Sequence, residues 1–215
     1  MTAGAVRAVI FDMDGVLVDS GAHHRDAWRA MFDDLGVAPP PEFWRITIGR
    51  PADEAVALLL HDVDRAEARR LAERKRGHYA RLARRGLVPV PGVVAFVDAL
   101  AGAAIPRAVG TSATRRDLDR VLGALGLDGR FDVLVTADDV RWGKPNPEVY
   151  LKAAAGLGVD PSACLVFEDA VVGVHAARAA GMRVIGVTTA HTRDELVAAG
   201  AERAVVDFED VRWPV

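Results

Sequence analysis

Hydrophobic positions fall into two regimes along the chain. From about Pro91 onward, short apolar runs at 108–110, 133–135, 165–167, 184–187 and 204–206 alternate with amphipathic stretches over 117–125, 148–157, 171–180 and 194–199. Strand-sized runs separated by helical stretches predict βαβ units and a parallel sheet. The run Ala8-Val9-Ile10-Phe11 has the same character and is expected to join that sheet. Residues from about 20 to 88 contain no such run. There Ala27, Trp28, Met31, Phe32 and Leu35 recur at helical spacing, 55–60 and 64–85 also read as helix, and Pro39-Pro40-Pro41 marks a loop between the first two helices.

The expected fold class is therefore α/β. A three-layer, Rossmann-like parallel-sheet core is expected over residues 1–18 and 89–215, with an α-helical cap domain, residues 19–88, inserted after the first strand. Linkers near Asp19 and from Pro89 to Gly92 are expected to let the cap close.

Composition narrows the classes of function. The chain has 215 residues, 51% of them hydrophobic, so it has enough apolar surface for a substantial core. A net charge of −3 gives no reason to expect a nucleic-acid partner. Between Arg65 and Arg85 there are nine Lys or Arg, which read first as a solvated helix face and second as a field drawing an anionic substrate to a cleft. Only Tyr79 is interleaved there as a stacking residue, which again argues against nucleic acid. The single cysteine, Cys164, rules out an internal disulfide and reads as a packing residue. No apolar run approaches the roughly 20 residues that span a bilayer, and no basic stretch followed by a long apolar run is read at the start, so no signal peptide is expected. A cytoplasmic monomer without a membrane partner is expected.

Four stretches carry chemistry. In Phe11-Asp12-Met13-Asp14-Gly15 an apolar strand ends in two carboxylates and a glycine. Ligands in open α/β sheets bind beyond the carboxyl ends of strands, and buried carboxylates there call for compensation by a hard cation such as Mg²⁺. Gly15 permits a sharp turn that brings backbone N–H groups near a bound anion. In Val166-Phe167-Glu168-Asp169 a second strand ends in two acids; capping of the next helix explains one acid and not both. Thr111 and Ser112 follow a third strand and offer hydroxyls to a phosphate oxygen. In Gly143-Lys144-Pro145-Asn146-Pro147 a lysine sits in a turn stiffened by prolines, where its ammonium would offset clustered carboxylates and hold a phosphate.

Taken together and in this order, FDMDGVLVDS, VGTS, GKPNP and FEDAVVGVHAARAAGM resemble the four motifs of the haloacid dehalogenase superfamily. The likeness covers nearly the whole chain. It is greatest to the subgroup containing β-phosphoglucomutase and small sugar-phosphate phosphatases, with DSGAHHRDAW opening a helical cap. The resemblance implies a phosphatase acting on a small phosphorylated metabolite. Asp12 would attack phosphorus to give an aspartyl-phosphate, and Asp14 would protonate the leaving oxygen and then activate water. Mg²⁺ would be held by Asp12, the backbone carbonyl of Asp14, Asp169 and, directly or at one remove, Glu168. Thr111, Ser112, Gly15 and Lys144 would bind the phosphate, while His24, Arg50 and Lys75 would face the cleft. An acid at Asp14 favours phosphate esters over halides or phosphonates. Mutase-like members carry an arginine where this chain has Ala52, so hydrolysis is preferred to β-phosphoglucomutase-type transfer. A non-catalytic binding protein on the same fold is the alternative of a different class.

Overall fold

The computed structural model describes residues 5–215. Six strands, β1 (Ala8–Phe11), β2 (Arg107–Gly110), β3 (Val133–Val135), β4 (Cys164–Glu168), β5 (Arg183–Val187) and β6 (Arg203–Val205), form one sheet in the order β3-β2-β1-β4-β5-β6. Every pairing is parallel. All six expected strands are present, and the fold class is the α/β parallel-sheet architecture read from the sequence. β1 and β4 are buried along their whole length, so they read as continuous apolar runs rather than alternating ones.

Helices cover both faces. α5 (Val93–Gly102) and α6 (Arg115–Leu125) pack with Phe11, Val109, Phe167 and Ile185, while Phe208 and Val211 from the C-terminal segment close that side. On the other face α7 (Glu148–Leu157), α8 (Val171–Ala179) and α9 (Arg193–Ala198) pack on Ile10, Ala108, Val166 and Val184. The helix ends follow local chemistry. Thr114 caps α6 by accepting from Asp117 N–H, Thr192 and Glu195 form a capping box on α9, and Gly126 and Gly158 close α6 and α7 in the left-handed conformation.

Between β1 and α5 lie α1 (Gly21–Leu35), α2 (Phe43–Thr47), α3 (Ala52–Leu59) and α4 (Arg65–Ala83). They bury a cluster of their own, in which Trp28, Met31 and Phe32 of α1 meet Phe43, Val56, Leu59 and Leu71. Two helices lack a readable signature. α2 is five residues long, too short for a periodic pattern. α5, VVAFVDALAG, buries Val93, Phe96, Val97 and Leu100 on one face, but its exposed face carries Ala95 and Ala99 beside Asp98, which blurs the contrast between the two faces. The segments joining the insert to the sheet run side by side: Val90 N–H donates to Leu17 O (3.2 Å), Asp19 N–H donates to Val88 O (2.9 Å), and Val18 bridges Pro89. Among the described residues no helix is long and apolar enough to cross a membrane.

Candidate active site

The strand order reverses direction between β1 and β4, and the crevice at the carboxyl ends of such neighbouring strands is where open α/β sheets bind ligands. Asp12 follows β1, Glu168 ends β4, Asp169 follows it, and Thr111 follows β2. Asp12, Asp14, Gly15, Thr111, Ser112 and Asp169 line one cavity with His24, Arg50 and Lys75 of the helical insert. Lys144 lies beneath its floor, 1% exposed.

Two sets of contacts divide the site. In the first, Lys144 Nζ donates to Asp12 Oδ1 at 2.7 Å and to Glu168 Oε1 at 2.5 Å. Glu168 Oε1 also accepts from the Tyr150 hydroxyl (2.8 Å), and Oε2 accepts from Ala170 N–H (2.8 Å). Both Glu168 oxygens are thus engaged by the protein. Gly173 makes room for them, since a Cβ there would stand 1.7 Å from Oε1. Oxygens of Asp12, Glu168 and Asp169 come within 4.8 Å of one another, three buried carboxylates against one ammonium. Burial first, then the Glu168 charge, raises the Asp12 carboxyl to about 7 against the pull of Lys144. Burial, with the Glu168 and Asp12 charges, likewise pushes Asp169 well up. Burial alone would lower the Lys144 ammonium, but Asp12 and Glu168 overcome it and hold it above its ordinary range. The uncompensated negative charge and the all-oxygen donor set fit a hard divalent cation.

In the second set, Asp14 Oδ1 accepts from Ser20 Oγ (2.5 Å) and pairs with His24 Nε2 (2.9 Å), while Lys75 Nζ lies 2.6 Å from His24 Nδ1. An ammonium only donates, so His24 Nδ1 accepts and Nε2–H donates to Asp14: the imidazole is neutral. Burial and the Lys75 charge lower its basicity accordingly. Burial would raise the Asp14 carboxyl, but His24, Ser20 and the Lys75 charge outweigh it and hold it at about 2. Burial brings Lys75 down to about 8 despite nearby Asp14 and Asp117. Asp14 Oδ1 is therefore engaged by Ser20 and His24, and the Asp14 side chain is not part of the acidic cluster of Asp12, Glu168 and Asp169.

The other expected residues fall as follows. Thr111 is buried and lines the cavity. Ser112 lines it too but spends its proton on Gly49 O (2.9 Å), a contact between sheet and insert. Gly15 adopts φ +75, and a Cβ there would lie 1.9 Å from Asp169 Oδ2, so this position requires glycine. Arg50 lines the cavity and donates from Nη1 to Ile46 O (3.3 Å). Of the basic stretch 65–85, Lys75 and Arg76 reach the cavity. Trp28, whose helical spacing reads as insert core with a substrate contact as the alternative, is in that core and also on the cavity wall. Ser20, Tyr150 and Thr189 are site residues that the sequence reading did not single out. Thr189 Oγ1 lies 2.7 Å from Gly15 O and 3.1 Å from Asp169 Oδ2, tying the first turn to the second acidic pair.

Comparison with known proteins identifies the family of the chain. A family model described as haloacid dehalogenase-like hydrolase matches residues 6–181. The chain is 38% identical to a validoxylamine A 7'-phosphate phosphatase of Streptomyces hygroscopicus subsp. limoneus, covering 97% of each chain. It is 33% identical to a phosphorylated carbohydrates phosphatase of Thermotoga maritima, covering 96% of each. A β-phosphoglucomutase structure from Clostridium difficile superposes with a TM-score of 0.85 at 27% identity, over 97% of this chain and 94% of that one.

Proposed function

Because the chain belongs to the haloacid dehalogenase-like hydrolase family, we propose that it is a Mg²⁺-dependent phosphatase of small sugar-phosphate-like metabolites working through an aspartyl-phosphate. One observation carries the reading: two carboxylates from a single strand end, Asp12 and Asp14, reach the same cavity in the grip of separate partners. Two acids in contrasting environments are what nucleophile and acid–base roles require.

Asp12 Oδ attacks phosphorus, the ester oxygen leaves as the P–O bond breaks, and Asp14 delivers the proton to that oxygen. Asp14 then takes a proton from the water that attacks the acyl-phosphate, releasing inorganic phosphate and regenerating Asp12. In the ligand-free state Asp14 is ionised; a phosphate dianion brought alongside raises its proton affinity and makes it an acid. Lys144 and Thr111 meet the charge on the phosphoryl oxygens. Asp12, Asp169 and the Asp14 carbonyl would hold Mg²⁺, with Glu168 behind them as the residue that fixes Lys144. There Mg²⁺ would supply the positive charge that lets Asp12 and Asp169 be ionised together and would act as a Lewis acid toward the phosphoryl group. Residues 19–88 act as a cap that shuts the cavity from water, moving on the linkers at Asp19 and Pro89 to Gly92.

Hydrolysis is favoured over phosphoryl transfer between two positions of one sugar. Ala52, at the start of α3 on the cavity wall, carries no charge to grip a second phosphate. A panel of sugar and polyol phosphates is expected to release inorganic phosphate with Mg²⁺. EDTA should cut the rate by about 100-fold or more, with recovery on adding Mg²⁺ back. Turnover that survives EDTA would sink the metal assignment; conversion of β-glucose 1-phosphate to glucose 6-phosphate without phosphate release would sink hydrolysis.

The closed cap gives a further prediction. Gly49 has φ +72, and a Cβ there would stand 2.6 Å from Ala170 Cβ and 2.8 Å from Val172 Cγ2. Gly49→Ala is expected to hold the insert off the β4–α8 turn, lowering kcat/KM by about tenfold or more, and the left-handed backbone at this position should also lower the melting temperature by a few degrees. Unchanged kinetics would show that closure does not depend on this contact.

A further inference from the structure

The three buried carboxylates at the strand ends are not held alike. Asp12 accepts from Lys144, and Glu168 accepts from Lys144, the Tyr150 hydroxyl and Ala170 N–H. Among the described residues, the Asp169 carboxylate has a single hydrogen-bond partner, the Thr189 hydroxyl, 3.1 Å from Oδ2. The same hydroxyl lies 2.7 Å from Gly15 O. Its one proton is shared between two acceptors that follow different strands, β4 and β1. Asp169 Oδ2 also leans on the first turn. A Cβ at Gly15 would stand 1.9 Å from that oxygen and 2.7 Å from Thr189 Oγ1.

The segment that carries Thr189 is anchored on both sides of it. Before it, Thr188 N–H donates to Val205 O (2.9 Å), which ties the segment to the sheet. After it, His191 Nδ1 lies 3.0 Å from the Asp169 carbonyl oxygen; a carbonyl only accepts, so Nδ1 carries the proton. Thr192 and Glu195 then open α9 with their capping box. Thr189 itself is exposed on the cavity wall and belongs to neither apolar cluster of the sheet. A hydroxyl so placed adds little to the core, but it aims a carboxylate that no other side chain orients.

We propose that Thr189 is a positioning residue that holds the Asp169 carboxylate against the Gly15 turn, in the orientation in which Asp169 and Asp12 share a divalent cation. The proposal rests on the metal-dependent phosphatase reading. Its test uses the full chain without substrate and Mn²⁺ as the probe, an oxygen-preferring ion whose free concentration is read by electron spin resonance. Thr189→Val keeps the side chain's shape and removes the hydroxyl; it is expected to weaken Mn²⁺ binding by about tenfold or more, the usual cost of losing a group that orients a metal ligand. Thr189→Ser keeps the hydroxyl and should recover most of that loss. Mn²⁺ should raise the melting temperature of Thr189→Val less than that of the native chain at the same concentration. In turnover, the rate deficit of Thr189→Val at limiting Mg²⁺ should shrink as Mg²⁺ is raised. Native Mn²⁺ affinity in Thr189→Val would overturn the proposal, as would a Ser variant no better than the Val variant. A deficit that is the same at every Mg²⁺ concentration would also overturn it, because a merely structural role or a substrate contact behaves in that way. Failure of the phosphatase reading looks different: the native chain would release no phosphate from any ester, whatever Thr189→Val did to Mn²⁺ binding.

Discussion

Asp12→Asn is expected to abolish phosphate release, by on the order of 10⁴-fold or more, while making the metal-free protein more stable at alkaline pH. Both effects follow from one environment. An amide cannot form the acyl-phosphate, so no covalent intermediate accumulates and none is trapped by borohydride. The stability effect has the opposite sign. The Asp12 carboxyl rises from its ordinary 3.8 to about 7 in the folded chain, first through burial. The folded state therefore binds that proton more tightly than the unfolded one. Its contribution to stability is full below about 3.8 and is lost as pH climbs to about 7. Asparagine has no proton to lose. The gap in melting temperature between variant and native chain should open over that pH window and stay constant above it. Saturating Mg²⁺, held by the folded carboxylates as proposed, should close it again. A variant that keeps its activity removes Asp12 as nucleophile. A gap that does not change with pH removes burial as the cause of the shift.

Lys144→Met is expected to damage activity and folding together. Its ammonium is shared between Asp12 and Glu168 with almost no exposure to solvent. Without it two buried carboxylates face each other uncompensated, and breaking a buried pair in this way costs about 3–5 kcal/mol. Loss of a cation at the developing charge of the phosphoryl group should lower kcat by about 10²–10³-fold. Glu168→Gln added to Lys144→Met removes one of the stranded charges. The double variant should recover part of the denaturant midpoint and none of the rate. An unchanged midpoint in Lys144→Met would mean that the carboxylates have another counter-charge.

The candidate site was legible because it is local. A strand that ends in acids announces itself in five consecutive residues, and Asp12, Asp14, Glu168 and Asp169 each sit at such an end. The four central strands were readable for a related reason, since burial on both faces leaves unbroken apolar runs, whereas β3 and β6 at the sheet edges are only partly buried and were read from their short apolar runs alone. What escaped reading depends on packing between distant segments. Tyr150 lies 18 residues before the carboxylate it supports, on a helix whose other buried positions are Val149, Ala153 and Ala154. Thr189 reaches back 174 residues to Gly15. Ser20 could have been found, since it falls within the first motif stretch, but a serine ahead of a helix reads first as a cap. Ser20 stands at that position and makes no capping bond; its hydroxyl is turned to Asp14 instead. Glu168 was read as a metal ligand or its neighbour. Its oxygens are divided among Lys144, Tyr150 and Ala170, and no spacing rule predicts that division.

The paired strands of chain at Leu17 to Asp19 and Val88 to Val90 have a consequence for how such a protein can change over evolutionary time. Because the outgoing and returning segments are hydrogen-bonded to each other, everything between them is spliced in at a single point. The ends of that splice stay together whatever its length, and loop-closure cost grows only slowly with added residues. The helices above the sheet are thus exchangeable parts: one can be lengthened, rewritten or swapped for a relative's without altering the register of a single strand. New substrates can be explored there by mutation while the acids, the lysine and their pairing below are inherited intact.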